Sequence, residues 1–226
     1  MVDLFLQNYF MAFYAITLVI SIVNYRWYYD GILKNFPILI GYTLLTEILG
    51  YFIRTFDNFH IVDSELYPNT NNYIYNVWDI VFFLYFFWVF GKTIKNKRYK
   101  VFLKFGSILY IVVSLINPFF QNALIYPQLA SITIGSIVLV SAILLYYMDL
   151  SNITTRNRPT NTLLFWVSVG LLLFYCFYPF INIAGILRYD LYQQWNVRTI
   201  LHVLIVYMYS CFILGFILID KKPLGK

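Results

Sequence analysis

Four ionisable side chains stand inside long apolar runs, where a charge is costly to hold: Glu47, Asp79, Arg198 and His202. Two carboxyls, a guanidinium and an imidazole could bind a polar ligand, couple to a proton or act as an acid–base pair. Their neighbours fall at helical spacing. Thr43, Glu47, Gly50 and Arg54 share one helix face. Asn72, Tyr75, Asn76 and Asp79 form a second stripe beside Trp78, and Trp195, Arg198, His202, Val206 and Tyr209 a third. Tyr175, Tyr178 and Asn182 flank Pro179, where a kink is expected. Two readings follow. The groups could be interhelical glue, with Asp79–Arg198 and Glu47–His202 as natural pairs. Alternatively, Glu47, Arg54, Asp79, Asn182, Arg198 and His202 line a ligand pocket walled by aromatic residues such as Trp78, Tyr178 and Trp195.

Other chemistries find too few residues. Two histidines, His60 and His202, and no membrane-embedded carboxylate cluster do not make a zinc site. Ser131 and Ser136, with Gly135, read as small residues for close helix packing, since no base can be placed beside a serine nucleophile. His60 reads as a solvated loop residue. No catalytic residue, metal or cofactor is therefore assigned.

These residues need helices in lipid to position them. The chain has 226 residues, 61% hydrophobic and 12% charged, with 22 Tyr and 22 Phe, which is the composition of a membrane protein. A ruler of roughly 20 apolar residues per crossing gives seven spans. They run at about 9–27, 36–55, 73–92, 102–120, 129–148, 162–184 and 198–219. The expected fold is an all-α, seven-helix integral membrane bundle forming a single domain over residues 1–226. The start of the chain lacks a basic region and a small-residue cleavage site, so the first helix is expected to stay. Cys176 and Cys211 sit at different depths and read as buried, unbridged residues.

Charge sets the direction. Arg26, Lys34, Lys92, Lys95, Lys97, Arg98, Lys100, Lys104, Arg156, Arg158, Lys221, Lys222 and Lys226 fall on one side, which is 13 of 16 basic residues. Arg54, Arg188 and Arg198 fall on the other, with Asp3, Asp57, Asp63, Glu65 and Asp190. The positive-inside rule places the N-terminus outside and the C-terminus in the cytoplasm. The run Lys92–Lys104 reads as a topology determinant resting on acidic lipid headgroups, not as a nucleic-acid site. With this direction Glu47, Asp79, Arg198, His202 and Arg54 all belong to the outer half.

Familiar seven-helix classes are excluded residue by residue. The last span has no Lys for a retinal Schiff base, the third ends Phe90-Gly-Lys-Thr instead of Asp-Arg-Tyr, and the last lacks Asn-Pro-x-x-Tyr. Pro127-Gln128 has no counterpart in the first span, as a PQ-loop carrier would require, and reads as a helix start. The segment Phe165–Tyr175 and the basic, Asn-rich loops resemble small uncharacterised membrane proteins of Bacteroidota and the membrane-embedded sensor regions of some histidine kinases there. That resemblance implies a sensory role without catalytic residues, passed on through a partner.

The expected function is a receptor-like sensory module that takes a small polar or amphipathic ligand from outside. The basic third loop, on the inner side, would meet a cytoplasmic signalling partner. A small transporter with Glu47 as coupling group is the alternative. An intramembrane enzyme acting on lipid, with Asp79 and His202 as acid and base, stands third.

Overall fold

A computed structural model describes residues 9–56, 71–151 and 162–219. The described residues are helical, with no strand among them. Six helices are long and apolar enough to cross a membrane: α2 Phe36–Thr55, α3 Asn72–Thr93, α4 Lys97–Ile116, α5 Leu129–Ser151, α6 Leu163–Leu187 and α8 Val197–Leu218. Ahead of them lies a shorter apolar helix of 15 residues, α1 Tyr9–Val23, and a six-residue helix, α7 Tyr189–Gln194, joins α6 to α8. The expectations for His60, Asp3, Asp57, Asp63, Glu65, Arg156, Arg158 and the C-terminal lysines lie outside the described residues.

Local chemistry explains where the elements begin and end. Pro37 sits in the first turn of α2, where its missing N–H costs nothing. α4 starts at Lys97, five residues earlier than the hydropathy ruler places it. The Asn96 side chain accepts the Arg98 N–H as an N-cap, and Lys and Arg are good helix formers whatever their polarity. The first span, by contrast, is shorter than expected, since α1 ends at Val23 and passes into a 3-10 turn over Tyr25–Trp27. α6 runs on through Pro179 to Leu187. Asn196, in the left-handed region at φ 46°, turns the chain sharply from α7 into α8, a conformation asparagine tolerates.

Helices α1, α2, α3, α5, α6 and α8 close into a ring in which each packs on the next, with α6 and α8 the most extensive pair. α4 lies outside this ring against α3 and α5. Only 11% of its apolar stretch is buried, against 39–50% for the other five long helices. The ring interior is aromatic. At the end where α1 finishes and α2 begins, Phe36 packs on Phe86, Phe212 and Phe216 at 5.2–5.9 Å between ring centroids. Tyr28 closes over Phe216 and donates to the Ser21 carbonyl. At the opposite end, reached by the starts of α1, α3, α5 and α8, the ring opens into a cavity.

Candidate functional site

The cavity measures about 480 Å³, within the range of small-molecule sites. Glu47, Arg54, Trp78, Asp79, Tyr178, Asn182, Arg198 and His202 all line it. The stripes read on α2, α3, α6 and α8 therefore face one another across a common space.

At its floor Glu47 is half-buried. The Tyr75 hydroxyl donates to its Oε2 at 2.8 Å, and the Tyr14 hydroxyl from α1 faces the same carboxyl. Beside it, Trp78 Nε1 donates to Thr43 Oγ1 at 3.0 Å, which fixes the indole against α2. Asp79 is 5% exposed, and its Oδ1 has no hydrogen-bond partner among the described residues. The Tyr178 hydroxyl lies within electrostatic reach of Asp79, and the Tyr178 ring stacks on Phe174 at 5.0 Å. Asn182 donates to the Tyr178 carbonyl at 2.9 Å, one turn above.

The mouth is basic. Arg54, two turns along α2 from Glu47 and so roughly 10 Å higher, is exposed and donates from Nε to the Gly50 carbonyl. Arg198 is exposed at the start of α8, with Tyr192 and Gln193 of α7 beside it on the cavity wall. His202, one turn deeper, is half-buried against Phe10 and Tyr9, with ring centroids 4.6 and 5.8 Å away. Arg188 takes no part. It forks onto Asp190 at 3.1–3.2 Å, and that exposed carboxylate holds its guanidinium above the ordinary arginine range.

Neither pairing expected from the sequence forms. Among the described residues the one ion pair within 4 Å is Arg188–Asp190, not Asp79–Arg198 or Glu47–His202. The reason is depth. Arg198 sits at the rim and Asp79 below it, while Glu47 is taken by tyrosine hydroxyls and His202 by aromatic faces. Nor does His202 hydrogen-bond Asp79, as an acid–base pair would. Among the described residues no three His, Cys, Asp or Glu side chains converge as metal ligands would.

Other expectations are corrected at the edges of the site. Trp195 is 68% exposed and lies off the cavity. Cys176 is exposed on the outside of α6, whereas Cys211 is buried, and both are free thiols. Sequence reasoning placed the first span but gave it no part in the site, although Phe10 and Tyr14, one turn apart, form part of the wall. The signal available was Tyr14, the one ionisable side chain in the run from Met11 to Val23. No family model, curated protein or solved structure matches this chain.

Proposed function

We propose that the chain is a seven-span, receptor-like sensory module of a bacterial inner membrane, with its N-terminus outside and its cavity open to the outer side. The observation that carries this reading is the asymmetry of the bundle interior. One end holds a cavity with charged groups at two depths, and the other is filled by Phe36, Phe86, Phe212 and Phe216, each at most 1% exposed. Charge supports the direction. Lys92, Lys95, Lys97, Arg98, Lys100 and Lys104 lie at the filled end, which the positive-inside rule makes cytoplasmic. α1 supplies the seventh span on this reading.

A sensor needs a pocket that distinguishes two arrangements of the same helices, and a ligand shifts the balance only by binding one of them better. Six elements meet at this cavity, so closing it on a ligand moves their far ends. The basic loop between α3 and α4 is where a cytoplasmic partner would register that movement. The resemblance of Phe165–Tyr175 to membrane-embedded sensor regions favours the same role. A transporter with Glu47 as coupling group requires a second opening, and the phenylalanine layer stands where that opening would be.

The test is accessibility. Cys176 and Cys211 are replaced, single cysteines are placed at Glu47 and His202, and an impermeant maleimide is applied to right-side-out and inverted vesicles. Labelling only from outside is the expected result. Labelling of position 47 from both sides would establish alternating access, and labelling from neither would make the polar groups internal glue.

A further inference from the structure

The charges in the cavity are sorted by depth, and among the described residues no two of them form an ion pair within 4 Å. Arg54 and Arg198 sit exposed at the mouth, on α2 and α8. Glu47 and Asp79 lie below, Asp79 with an oxygen that no described residue satisfies. A buried carboxyl without a partner is a costly arrangement in a bilayer, and two rim arginines on the outer side run against the charge bias of the rest of the chain. Arg188, the third basic residue of that side, is already matched by Asp190. Arg54 and Arg198 have no acidic partner within 4 Å among the described residues.

The walls between these levels are aromatic. Tyr14, Tyr75, Trp78, Tyr178 and Tyr209 surround the lower half. The Trp78 indole is held by Thr43 and packed at a tilt of 34° against Phe82, with ring centroids 4.7 Å apart, so its face is fixed in place. Aromatic faces and carboxylates together are what an ammonium group is recognised by. Guanidinium pairs at a mouth are what a carboxylate or phosphate is recognised by. His202, half-buried one turn below Arg198, adds no negative charge there and leaves the upper level suited to an anion.

We infer that the ligand is a small water-soluble zwitterion, bound with its ammonium group down between Asp79, Glu47 and the aromatic wall and its anionic group up between Arg54 and Arg198. The inference rests on the reading of this cavity as an outward ligand pocket and adds the ligand's charge pattern and direction. The water-soluble source follows from the mouth, which among the described residues is framed by helix ends and by Arg54, Gln193 and Arg198. A neutral, purely cationic or purely anionic molecule would leave one of the two levels uncompensated.

The experiment is a thermal-shift titration of the full chain in a non-ionic maltoside detergent at fixed pH and ionic strength. The probes are glycine, 4-aminobutyrate and 6-aminohexanoate, with hexylamine and hexanoate as single-charge controls. A ligand that binds only the folded state raises the unfolding midpoint with its concentration. The expected result is a saturable rise with an optimum chain length among the zwitterions. Each single-charge control should need roughly tenfold or more concentration, the loss of one charge-assisted contact. Asp79→Asn should erase the preference for the amino acid over hexanoate, and Arg198→Gln its preference over hexylamine. Because Arg198 is exposed, that variant keeps the test open even where Asp79→Asn fails to fold. Equal response to a zwitterion and to either control, or no response to any probe, overturns the inference. If cysteines at positions 47 and 202 are still labelled from outside, the pocket reading survives that failure. If they are not labelled, both fall.

Discussion

At the scale of single residues, the Tyr75–Glu47 contact is the one that holds the floor of the cavity in shape. Tyr75 reaches Glu47 across Gly50, where a Cβ would stand 2.7 Å from the Tyr75 hydroxyl and 3.0 Å from Asn71 Nδ2. Tyr75→Phe removes the donor and should cost about 1 kcal/mol, the scale of interhelical hydrogen bonds, rising to roughly 2 for a charged acceptor. Gly50→Ala should produce a similar loss by pushing the hydroxyl aside. The two effects share one cause, so the double variant should cost clearly less than their sum. Thermal unfolding of the four proteins in detergent checks this, and strict additivity would separate the glycine from the tyrosine. The same contact explains why Glu47 does not need His202. A carboxyl satisfied by tyrosine hydroxyls leaves the imidazole to its aromatic neighbours.

At the scale of elements, two interfaces set the shape of the bundle. The α6–α8 pair is close because Gly170 meets the Met208 carbonyl, where a Cβ would lie 2.9 Å from backbone oxygen that cannot swing away. Gly170→Ala should destabilise by about 1–3 kcal/mol through overpacking. Gly91→Ala meets only Leu103 at 3.8 Å and should be neutral or slightly stabilising, since alanine favours helix. Midpoints from the same unfolding assay decide between them. The other interface is the clamp of α3 on the segment before α5. Asn76 Nδ2 donates to the carbonyls of Ala123 and Tyr126 at 2.7 and 3.0 Å, and its Oδ1 accepts the Gln128 N–H at 3.1 Å. Asn76→Ala should release residues 119–127, seen as faster hydrogen exchange there while α6 and α8 keep their protection. Elements also limit what a sequence shows. The α2 and α3 stripes were legible because each lies on one unbroken helix. Trp195 matched the α8 stripe by spacing, yet Asn196 turns the chain between it and Arg198, so the register does not carry through. α4 was mis-started because hydropathy measures fitness for lipid, while Lys97–Lys104 is helical by propensity and capping.

At the scale of the whole molecule, the arrangement of a cavity at one end and a phenylalanine layer at the other could not be read from the chain. Phe36, Phe86, Phe212 and Phe216 are indistinguishable in sequence from the many lipid-facing aromatics, and only the closing of the ring puts them together. The same holds for α1, whose Phe10 and Tyr14 look like any apolar residues until they meet His202 and Glu47. At this scale the sequence offers an expectation of direction, because basic residues respond to the membrane and not to packing. Thirteen of 16 lie on one side of the expected topology, and of the three exceptions Arg188 is matched by Asp190 while Arg54 and Arg198 line the cavity. A bias so uneven should survive partial loss. Replacing Lys95, Lys97, Arg98 and Lys100 by Gln leaves nine basic residues against three, so the orientation should hold. A cysteine at Gln193 is then expected to react with an impermeant reagent from outside, and one at Thr93 only in inverted vesicles. Reaction at both positions from one side would break the opposed placement of cavity and basic loop on which the sensory reading depends. A mixture of orientations in the four-fold variant alone would instead show that this single loop, and not the summed bias, fixes how the bundle inserts.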